Sequence, residues 1–431
     1  MSGYPTCCLV NLPCEGVNND RLEPPLGLLF LGACLREIGA APTVLDLASS
    51  SYNACPEQVP DGFDIYGISA CSTNYHAAFR LLSELKRRNP RALFLIGGPH
   101  ASALPQAVAK NGFDCVVIGE GERAICAIVD QFRAGIRPPR IVHGTAVDPL
   151  DALPLPAFDL VDLSTYSREL DGYRCVSIQS SRGCPYTCSF CNSNIMGAGR
   201  RIRFFSAERV IQQIRAIKND YGVHHFRFQD DVFTFSRKRI EELAPRLARE
   251  NIVYRCFARI NNFTREMAVM LRSSGCIHVS FGVETGSPKL LAKNAMDKRQ
   301  TTGQIRAALG NAHAAGLRTR IFLMVGFPGE TDETIAETLA LVRACSWEEF
   351  SVYPLIAYPG TPMHDRPSEF GITAINRDYS EYFQIGKDMK AAFTIRTNTF
   401  DENKVRCWRD HVVRQLLADG RVWAGSALGF Q

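Results

Sequence analysis

Three cysteines are the residues of this 431-residue chain with the clearest chemistry: Cys184, Cys188 and Cys191, at spacings of four and three. Three thiolates on one loop can hold three irons of a [4Fe–4S] cluster and leave the fourth iron open. An open iron can bind an amine and a carboxylate, and S-adenosylmethionine (SAM) is the ligand that this implies. Structural zinc usually needs paired CxxC units, and ferredoxin loops carry a fourth cysteine. Here the next cysteine is Cys256, so the spacing favours the open cluster.

The run Cys184-Pro185-Tyr186-Thr187-Cys188-Ser189-Phe190-Cys191 resembles the CxxxCxxC loop of radical SAM enzymes. These enzymes cleave SAM reductively to a 5′-deoxyadenosyl radical. The resemblance implies that the three cysteines ligate the cluster and that Phe190 packs near the adenine of SAM. It also implies an external one-electron donor of the flavodoxin or ferredoxin type.

Composition and charge indicate which partners and which cellular location we expect. The net charge of +5 is spread along the chain, and its short basic runs are typical of solvated faces, so we expect no nucleic-acid partner. No signal-peptide pattern and no apolar run of membrane-spanning length are present, so we expect no membrane association. The 16 cysteines without a signal peptide indicate a reducing, cytoplasmic location.

The first third of the chain alternates short apolar runs with helical patterns. Predicted strands are Cys8–Asn11, Thr43–Asp46, Ile65–Ser69, Ala92–Ile96 and Cys115–Ile118, and predicted helices are Leu26–Ile38 and Ala77–Arg88. This rhythm predicts an α/β, doubly wound, Rossmann-like domain over residues 1–145. Ligands of such sheets bind at the carboxyl ends of the strands.

Four motifs at those ends widen the resemblance: Pro24-Pro25-Leu26-Gly27, Gly67-Ile68-Ser69, Gly97-Gly98-Pro99-His100 and Gly119-Glu120-Gly121-Glu122. In this order they resemble the N-terminal domain of the B12-binding radical SAM family. That resemblance implies a domain that stacks cobalamin against the SAM domain. The chain has no Asp-x-His-x-x-Gly run that would offer an imidazole to cobalt. Cobalamin therefore stays an open third cofactor beside the [4Fe–4S] cluster and SAM.

Residues 146–173, rich in Pro and Leu, are predicted to be a linker. Six strand–helix units over residues 174–360 predict a partial (β/α)₆ barrel with its chemistry at the carboxyl ends of the strands. Residues 361–431 show helical spacing and are predicted to be a helical C-terminal cap.

The family resemblance implies roles for residues at these strand ends. Asp231 is expected to contact the SAM amino group, and Asp230 fits either that role or the start of a helix. Glu284 is expected to contact the ribose, and Gly326 belongs to the turn that holds the adenine. Arg259 is expected to point its charge into the barrel mouth. Tyr186, Tyr254, Arg255 and His278 are further candidates for the mouth, and no catalytic residue is identified.

The predicted activity is hydrogen abstraction from a small polar natural-product intermediate by a radical SAM enzyme. The preferred outcome is radical dehydration of an aminosugar diol, by similarity to the radical SAM diol dehydratases of the apramycin pathway. Asp230, Asp231 and Glu284 would then face a cationic substrate. The alternative is a methylcobalamin-dependent radical C-methyltransferase. A third hypothesis is a cobalamin or Fe–S sensor.

Overall fold

The computed structural model describes residues 3–196, 199–292, 296–384, 386 and 392–424. The described residues form two compact units. The first contains the chain up to Arg168 together with Ser193–Phe205 and Tyr379–Glu381. The second contains Glu169–Asn192, Ser206–Asp378 and the chain from Tyr382 onward.

The first unit is a parallel sheet with helices between its strands. Its strands are β1 (Cys7–Asn11), β2 (Pro42–Asp46), β3 (Ile65–Ser69), β4 (Leu93–Gly97), β5 (Cys115–Ile118) and β6 (Ile141–His143). Its helices are α1 (Leu26–Glu37), α2 (Cys55–Gln58), α3 (Tyr75–Arg88), α4 (Pro99–Ala103), α5 (Pro105–Ala109) and α6 (Glu122–Arg133). The strand order is β2-β1-β3-β4-β5-β6, and all pairs are parallel. This is the predicted doubly wound fold.

Periodicity in the sequence explains these elements. Helix α3 buries Ala77, Ala78, Leu81, Leu82 and Leu85, which repeat at helical spacing, and ends in basic residues that suit the negative end of the helix dipole. The central strands are apolar throughout because both faces of the sheet are covered.

Residues 146–168, predicted as part of a linker, pack within the first unit. The backbone N–H of Ala157 donates to Leu29 O at 3.1 Å, and Asp159 pairs with Arg36 at 2.7 Å. A Cβ added to Gly32 would lie only 2.5 Å from Cδ1 of Leu160, so Leu160 packs directly against this glycine of α1. This stretch is therefore part of the first unit rather than a free crossing, because its apolar residues cover helix α1.

The rest of the chain contributes twelve strands and eight helices within the described ranges. The strands are β7 (Glu169–Leu170), β8 (Tyr173–Ile178), β9 (Ser181–Arg182), β10 (Arg203–Phe204), β11 (His225–Phe228), β12 (Val253–Ala258), β13 (Cys276–Glu284), β14 (Arg318–Val325), β15 (Glu349–Pro354), β16 (Ile372–Ile375), β17 (Ile395–Thr397) and β18 (Val422–Trp423). The helices are α7 (Ala207–Tyr221), α8 (Arg237–Arg249), α9 (Arg265–Ser273), α10 (Pro288–Leu291), α11 (Thr302–Ala314), α12 (Asp332–Arg343), α13 (Pro362–Asp365) and α14 (Glu402–Ala418).

The main sheet of the second unit has the order β18-β15-β14-β13-β12-β11-β8-β7. Its six central strands are the six that the sequence predicts, each in parallel with its neighbour. The edge strand β7 runs antiparallel to β8, and β18 adds a parallel strand beside β15. The result is the expected partial barrel.

The C-terminal segment contains helix α14 but also structure that helical spacing did not predict. Strands β16 and β17 form a two-stranded antiparallel sheet, and β18 returns to the barrel sheet. Residues 385, 387–391 and 425–431 of the predicted cap lie outside the described residues. In the described ranges no helix is both long and apolar enough to span a membrane.

Candidate functional site

The cysteine loop follows strand β8, at the carboxyl end of the barrel sheet, as predicted. Cys184 is buried, whereas Cys188 and Cys191 are partly exposed. Cys191 N donates to Cys188 O at 3.2 Å, and Ser189 N donates to Met296 O at 3.0 Å. The loop is thus tied to itself and to the segment after α10. Burial raises the pKa of the Cys184 thiol to about 12, so its thiolate needs a positive partner such as bound iron.

The cysteine loop offers three thiols as metal ligands. Within the described parts of the chain, no three His, Cys, Asp or Glu side chains converge as ligands of one metal ion. Each thiol of a [4Fe–4S] cluster binds a different iron. Three cysteines on one loop, with a cation beside one of them, therefore fit the predicted donor set.

That cation is Arg259, which follows β12. Its Nη1 lies 3.3 Å from Cys188 Sγ, and its guanidinium stands over the ring of Tyr186, 3.7 Å from the centroid. Its Nε donates to Asn261 Oδ1 at 3.1 Å, and its Nη2 donates to Lys298 O. The prediction placed the charge of Arg259 at the barrel mouth; in the structure the side chain is buried and braces the cysteine loop.

Glu284 ends β13 in an unusual conformation. Its φ is 65°, a left-handed value that non-glycine residues seldom adopt, and the pairing of β13 with β14 shifts register between Gly282 and Glu284. The carboxylate forms a buried ion pair with Lys298, whose Nζ also donates to Gly282 O at 2.5 Å. The sequence pattern missed Lys298, because it lies in an irregular segment 14 residues downstream of Glu284.

The two aspartates after β11 differ in environment. Asp230 is 1% exposed and accepts hydrogen bonds from Ser180 N and Ser181 Oγ, both at 2.7 Å. Burial raises its pKa against these hydrogen bonds. It does not cap a helix, because the N-cap of α8 is Ser236. Asp231 is exposed, so of the two only Asp231 is exposed enough to reach the predicted SAM amino group.

Phe190 and Gly326 are both predicted to lie near the adenine of SAM. Phe327, the residue after Gly326, contacts Phe190. The rings of Phe190 and Phe327 meet edge to face at 5.5 Å. Gly326 has φ 90°, and a Cβ there would lie 2.9 Å from Val405, so the turn requires glycine. The buried carboxylate of Glu330 accepts the backbone N–H groups of Gly326 and Phe327 and holds the turn, a role that the sequence did not reveal.

Other candidates for the mouth are distributed differently. Tyr254 is fully buried on the helix side of the sheet, where its hydroxyl meets Ser274 at 2.7 Å, so its prediction was wrong. Arg255 and His278 are buried on the inner face of the barrel, below the strand ends. Alternation along each strand assigns residues to one face or the other.

The first unit has its own candidate ligand-binding edge, which lies at the carboxyl ends of β3, β4 and β5. Gly98 has φ 97°, and a Cβ there would lie 2.7 Å from Ala70 O, so backbone packing requires this glycine. At Gly97 and Gly119 a Cβ would meet nothing closer than 3.8 Å and 3.6 Å. Packing alone does not demand glycine at either position, but Gly119 has φ 78°, a left-handed value that favours glycine.

A buried aromatic group borders that edge. His100 is 1% exposed, its Nδ1 is 3.0 Å from Ser72 Oγ, and its ring packs on Tyr75 at 3.9 Å. Tyr379, from the short segment that joins the first unit, packs edge-on against His100 at 5.1 Å. His100 is therefore a packed residue rather than an exposed ligand.

Comparison with known proteins identifies both parts of this architecture. Residues 20–129 match the B12 binding domain family, and residues 178–342 match the Radical SAM superfamily. The chain is therefore a B12-binding-type radical SAM protein. Along the sequence, an α/β domain of the B12-binding family precedes a radical SAM barrel. This membership assigns a [4Fe–4S] cluster and SAM to the chain, and keeps cobalamin as a possible third cofactor.

Relatives and solved structures agree with this assignment. An uncharacterized methyltransferase of Pyrococcus horikoshii is 29% identical over 362 residues, covering 78% of this chain and 77% of the relative. Cytidylyl-2-hydroxyethylphosphonate methyltransferase of Streptomyces wedmorensis is 24% identical, covering 74% and 72%. The radical SAM methyltransferase TsrM of Kitasatospora setae, solved with cobalamin and a [4Fe–4S] cluster, superposes with a TM-score of 0.71 at 18% identity, over 96% of this chain and 89% of TsrM. At that identity TsrM shows the fold.

These matches also bear on the predicted outcome of the reaction. Radical SAM chemistry is confirmed. The preferred outcome, dehydration of an aminosugar, receives no support, and the similarity to the apramycin-pathway enzyme is not borne out. The alternative, a methyltransferase, is the outcome that most of the relatives favour.

Proposed function

We propose that this chain is a cobalamin-dependent radical SAM methyltransferase that acts on a carbon of a small molecule. One observation carries the proposal: a single chain joins a cysteine loop braced by Arg259 to a parallel sheet whose strands β4 and β5 end in glycine loops at Gly97 and Gly119. The names of relatives add support, among them the Hopanoid C-3 methylase of Methylococcus capsulatus, 28% identical over 333 residues.

In this proposal each predicted residue has a role. Cys184, Cys188 and Cys191 hold the cluster, and the ring of Phe190 and the turn at Gly326 receive the adenine. Asp231 accepts the SAM amino group and Glu284 the ribose hydroxyls. When bound, the cluster and SAM supply a 5′-deoxyadenosyl radical, and cobalamin carries the methyl group.

The positions of the other side chains suit that task. Arg259 keeps a positive charge beside the cluster sulfur, which favours acceptance of an electron from a flavodoxin- or ferredoxin-type donor. Lys298 holds the carboxylate of Glu284 in one direction. Phe190 and Phe327 place apolar surface next to the cysteine loop, which helps to exclude water from a reactive radical.

The test is product analysis on protein whose cluster has been rebuilt without oxygen. With SAM and dithionite we expect 5′-deoxyadenosine. S-adenosylhomocysteine should form only when hydroxocobalamin is also added, because a SAM molecule that gives up its methyl group leaves as that product. A Cys188→Ala variant should lose 5′-deoxyadenosine. Retained cobalamin without S-adenosylhomocysteine would contradict methyl transfer, and 5′-deoxyadenosine without cobalamin retention would favour a lyase.

A further inference from the structure

Two cysteines lie at the edge of the first unit where its strand order reverses. Strand β1 is placed between β2 and β3, so the chain leaves β1 toward one side of the sheet and later returns on the other side. In doubly wound sheets such a reversal opens a crevice outside the carboxyl ends of the two strands, and ligands bind there. Cys14 lies in the loop after β1, and Cys71 lies directly after β3. Both loops border this crevice, which we call the β1/β3 crevice.

One hydroxyl group connects the two thiols. Thr73 Oγ1 lies 3.0 Å from Cys71 Sγ, and Cys14 Sγ donates to the same oxygen at 3.5 Å. The two sulfurs are therefore separated by no more than the sum of these distances. Asn74 ties the same loops together, because its Nδ2 donates to Leu12 O at 3.3 Å and its Oδ1 accepts Cys71 N at 2.9 Å. The fold thus holds two cysteines that are distant in sequence close to one another.

The two thiols differ in accessibility. Cys71 is partly exposed, whereas Cys14 is only 7% exposed. Burial raises the pKa of Cys14 to about 12, and the neighbouring thiol of Cys71 adds to that rise. Thiol–disulfide exchange depends on access and on the thiolate fraction of the attacking cysteine. A reagent in solution therefore reacts first with Cys71, and Cys14 is placed to attack second.

A second pair of thiols shows why the exposure of Cys71 matters. Cys256 on β12 and Cys276 on β13 lie close together, since the Cys276 thiol contributes, after burial, to the raised pKa of Cys256. These two residues are 1% and 0% exposed. A reagent cannot reach either of them in the folded barrel, so proximity alone does not make this pair reactive. The pair at the β1/β3 crevice combines proximity with access.

We propose that Cys14 and Cys71 form a reversible disulfide that closes the β1/β3 crevice to its ligand under oxidising conditions. The bond brings two sulfurs that now share one hydroxyl to a separation of about 2 Å, and so draws together the loops after β1 and β3. The ligand that the proposed function requires at this unit is cobalamin. The effect on cobalamin therefore rests on the proposed function, whereas formation of the disulfide does not.

The oxidant is a small disulfide such as oxidised glutathione. The thiolate of Cys71 attacks one glutathione sulfur, so that a mixed disulfide forms, the glutathione disulfide bond breaks and one glutathione thiolate leaves. Cys14 then attacks the sulfur of Cys71, the protein disulfide forms and the second glutathione leaves. The protons of the two cysteines pass to the two departing thiolates. Two protein thiols are thus oxidised while one glutathione disulfide is reduced.

Peptide mapping tests the disulfide. Cluster-loaded protein is incubated without oxygen in excess oxidised glutathione, and its remaining thiols are alkylated. Trypsin cuts after Arg21, Arg36 and Arg80, so Cys14 and Cys71 fall in different peptides. We expect mass spectrometry to find these two peptides joined, fragment spectra to place the bond between Cys14 and Cys71, and dithiothreitol to separate them. If the two peptides stay separate, or if Cys71 carries only glutathione, the proposal is overturned.

Cys71→Ser is the informative variant, because it keeps a hydroxyl beside Thr73 and removes only the reactive thiol. We expect it to form no joined peptide. Cys14→Ala provides a second readout: it should leave Cys71 as a mixed disulfide with glutathione, since the second attack is lost. Cys407→Ser is the matched control, because Cys407 is an exposed cysteine on α14. It should lose one glutathione adduct and keep the joined peptide.

Retention of hydroxocobalamin tests closure of the β1/β3 crevice. After glutathione is removed, oxidised protein should retain several-fold less hydroxocobalamin on gel filtration than reduced protein, and Cys71→Ser should show no such difference. Equal retention by disulfide-linked and reduced protein would overturn the closure. Reduced protein that retains no hydroxocobalamin would reject the proposed function, while a joined peptide in the same sample would still establish the disulfide. Normal retention without a joined peptide would reject the disulfide and keep the function.

Discussion

The Nη1 atom of Arg259 lies 3.3 Å from the Sγ atom of Cys188, the middle cysteine of the loop. The same guanidinium stands over Tyr186 and donates to the carbonyl of Lys298. One side chain therefore connects strand β12, the cysteine loop and the segment that carries the partner of Glu284. A fixed positive charge beside a ligand sulfur stabilises added negative charge there.

We expect Arg259→Gln to lower the reduction potential of the cluster, because the reduced form has one more negative charge. A hydrogen bond to a charged group contributes about 1.5–3 kcal/mol. For one electron this corresponds to roughly 60–130 mV. A redox titration followed by electron paramagnetic resonance measures the shift. Arg265→Gln, at an exposed position on α9, is the control, and an unchanged potential with an intact cluster would refute the role of Arg259.

Lys298→Met should destabilise the protein by about 3–5 kcal/mol, because it leaves the Glu284 carboxylate buried without its cation. Urea unfolding of cluster-loaded protein measures the loss. The same variant should weaken SAM binding, since Lys298 directs the Glu284 carboxylate. Lys289→Met removes an exposed lysine and should change neither property. Full stability of Lys298→Met would show that the ion pair contributes little.

Glu330→Gln should change how stability depends on pH. Burial raises the pKa of Glu330 from 4.5 to about 8, despite the hydrogen bonds from Gly326 and Phe327 that lower it. Between these values the folded state holds a proton that the unfolded state has lost. This contribution is therefore complete below pH 4.5 and is lost as the pH rises through 8.

Glutamine resembles the protonated acid, so Glu330→Gln should flatten the decline in unfolding free energy between pH 5 and pH 8. Urea midpoints at pH 5, 6.5 and 8 test this. Glu337→Gln, on the exposed side of α12, should keep the slope of the natural protein. An unaltered slope in Glu330→Gln would contradict a protonated Glu330.

Tyr379→Ala should strengthen retention of hydroxocobalamin several-fold. The ring of Tyr379 packs on His100, beside the loops that follow β3 and β4, where ligands of parallel sheets bind. Removing it opens that edge of the first unit. Gel filtration with absorbance detection measures retained cobalamin. Tyr173→Ala, an exposed tyrosine on β8, is the control, and weaker retention in Tyr379→Ala would instead make Tyr379 part of the binding surface.

The sequence predicted the strands well because buried parallel strands leave short apolar runs between helical patterns. Ile65–Ser69 and Cys115–Ile118 agree with the structure at both ends. The two-stranded sheet of β16 and β17 was not predicted. Its strands are 19 residues apart along the chain, and such pairing leaves little local signal.

The site was predicted where a motif fixes the residue type and missed where distant segments meet. The cysteine loop was recognisable from spacing alone. Asp230 and Asp231 are adjacent identical side chains, and only the fold shows that Asp230 is occupied by Ser180 and Ser181. Lys298 had no motif, because its role depends on a carboxylate in another element.

The first unit is assembled from three separate stretches of the chain. Phe205, from the second stretch, stacks on Phe30 at 6.2 Å, and Arg203 beside it forms a buried ion pair with Glu120. A fragment that stops at Arg168 would expose the ring of Phe30 and leave the Glu120 carboxylate without its cation. A chimaera made with one crossover point after Arg168 therefore cannot carry this unit intact into another protein. Any recombinant or chimaeric protein that preserves it must inherit residues from beyond the cysteine loop as well.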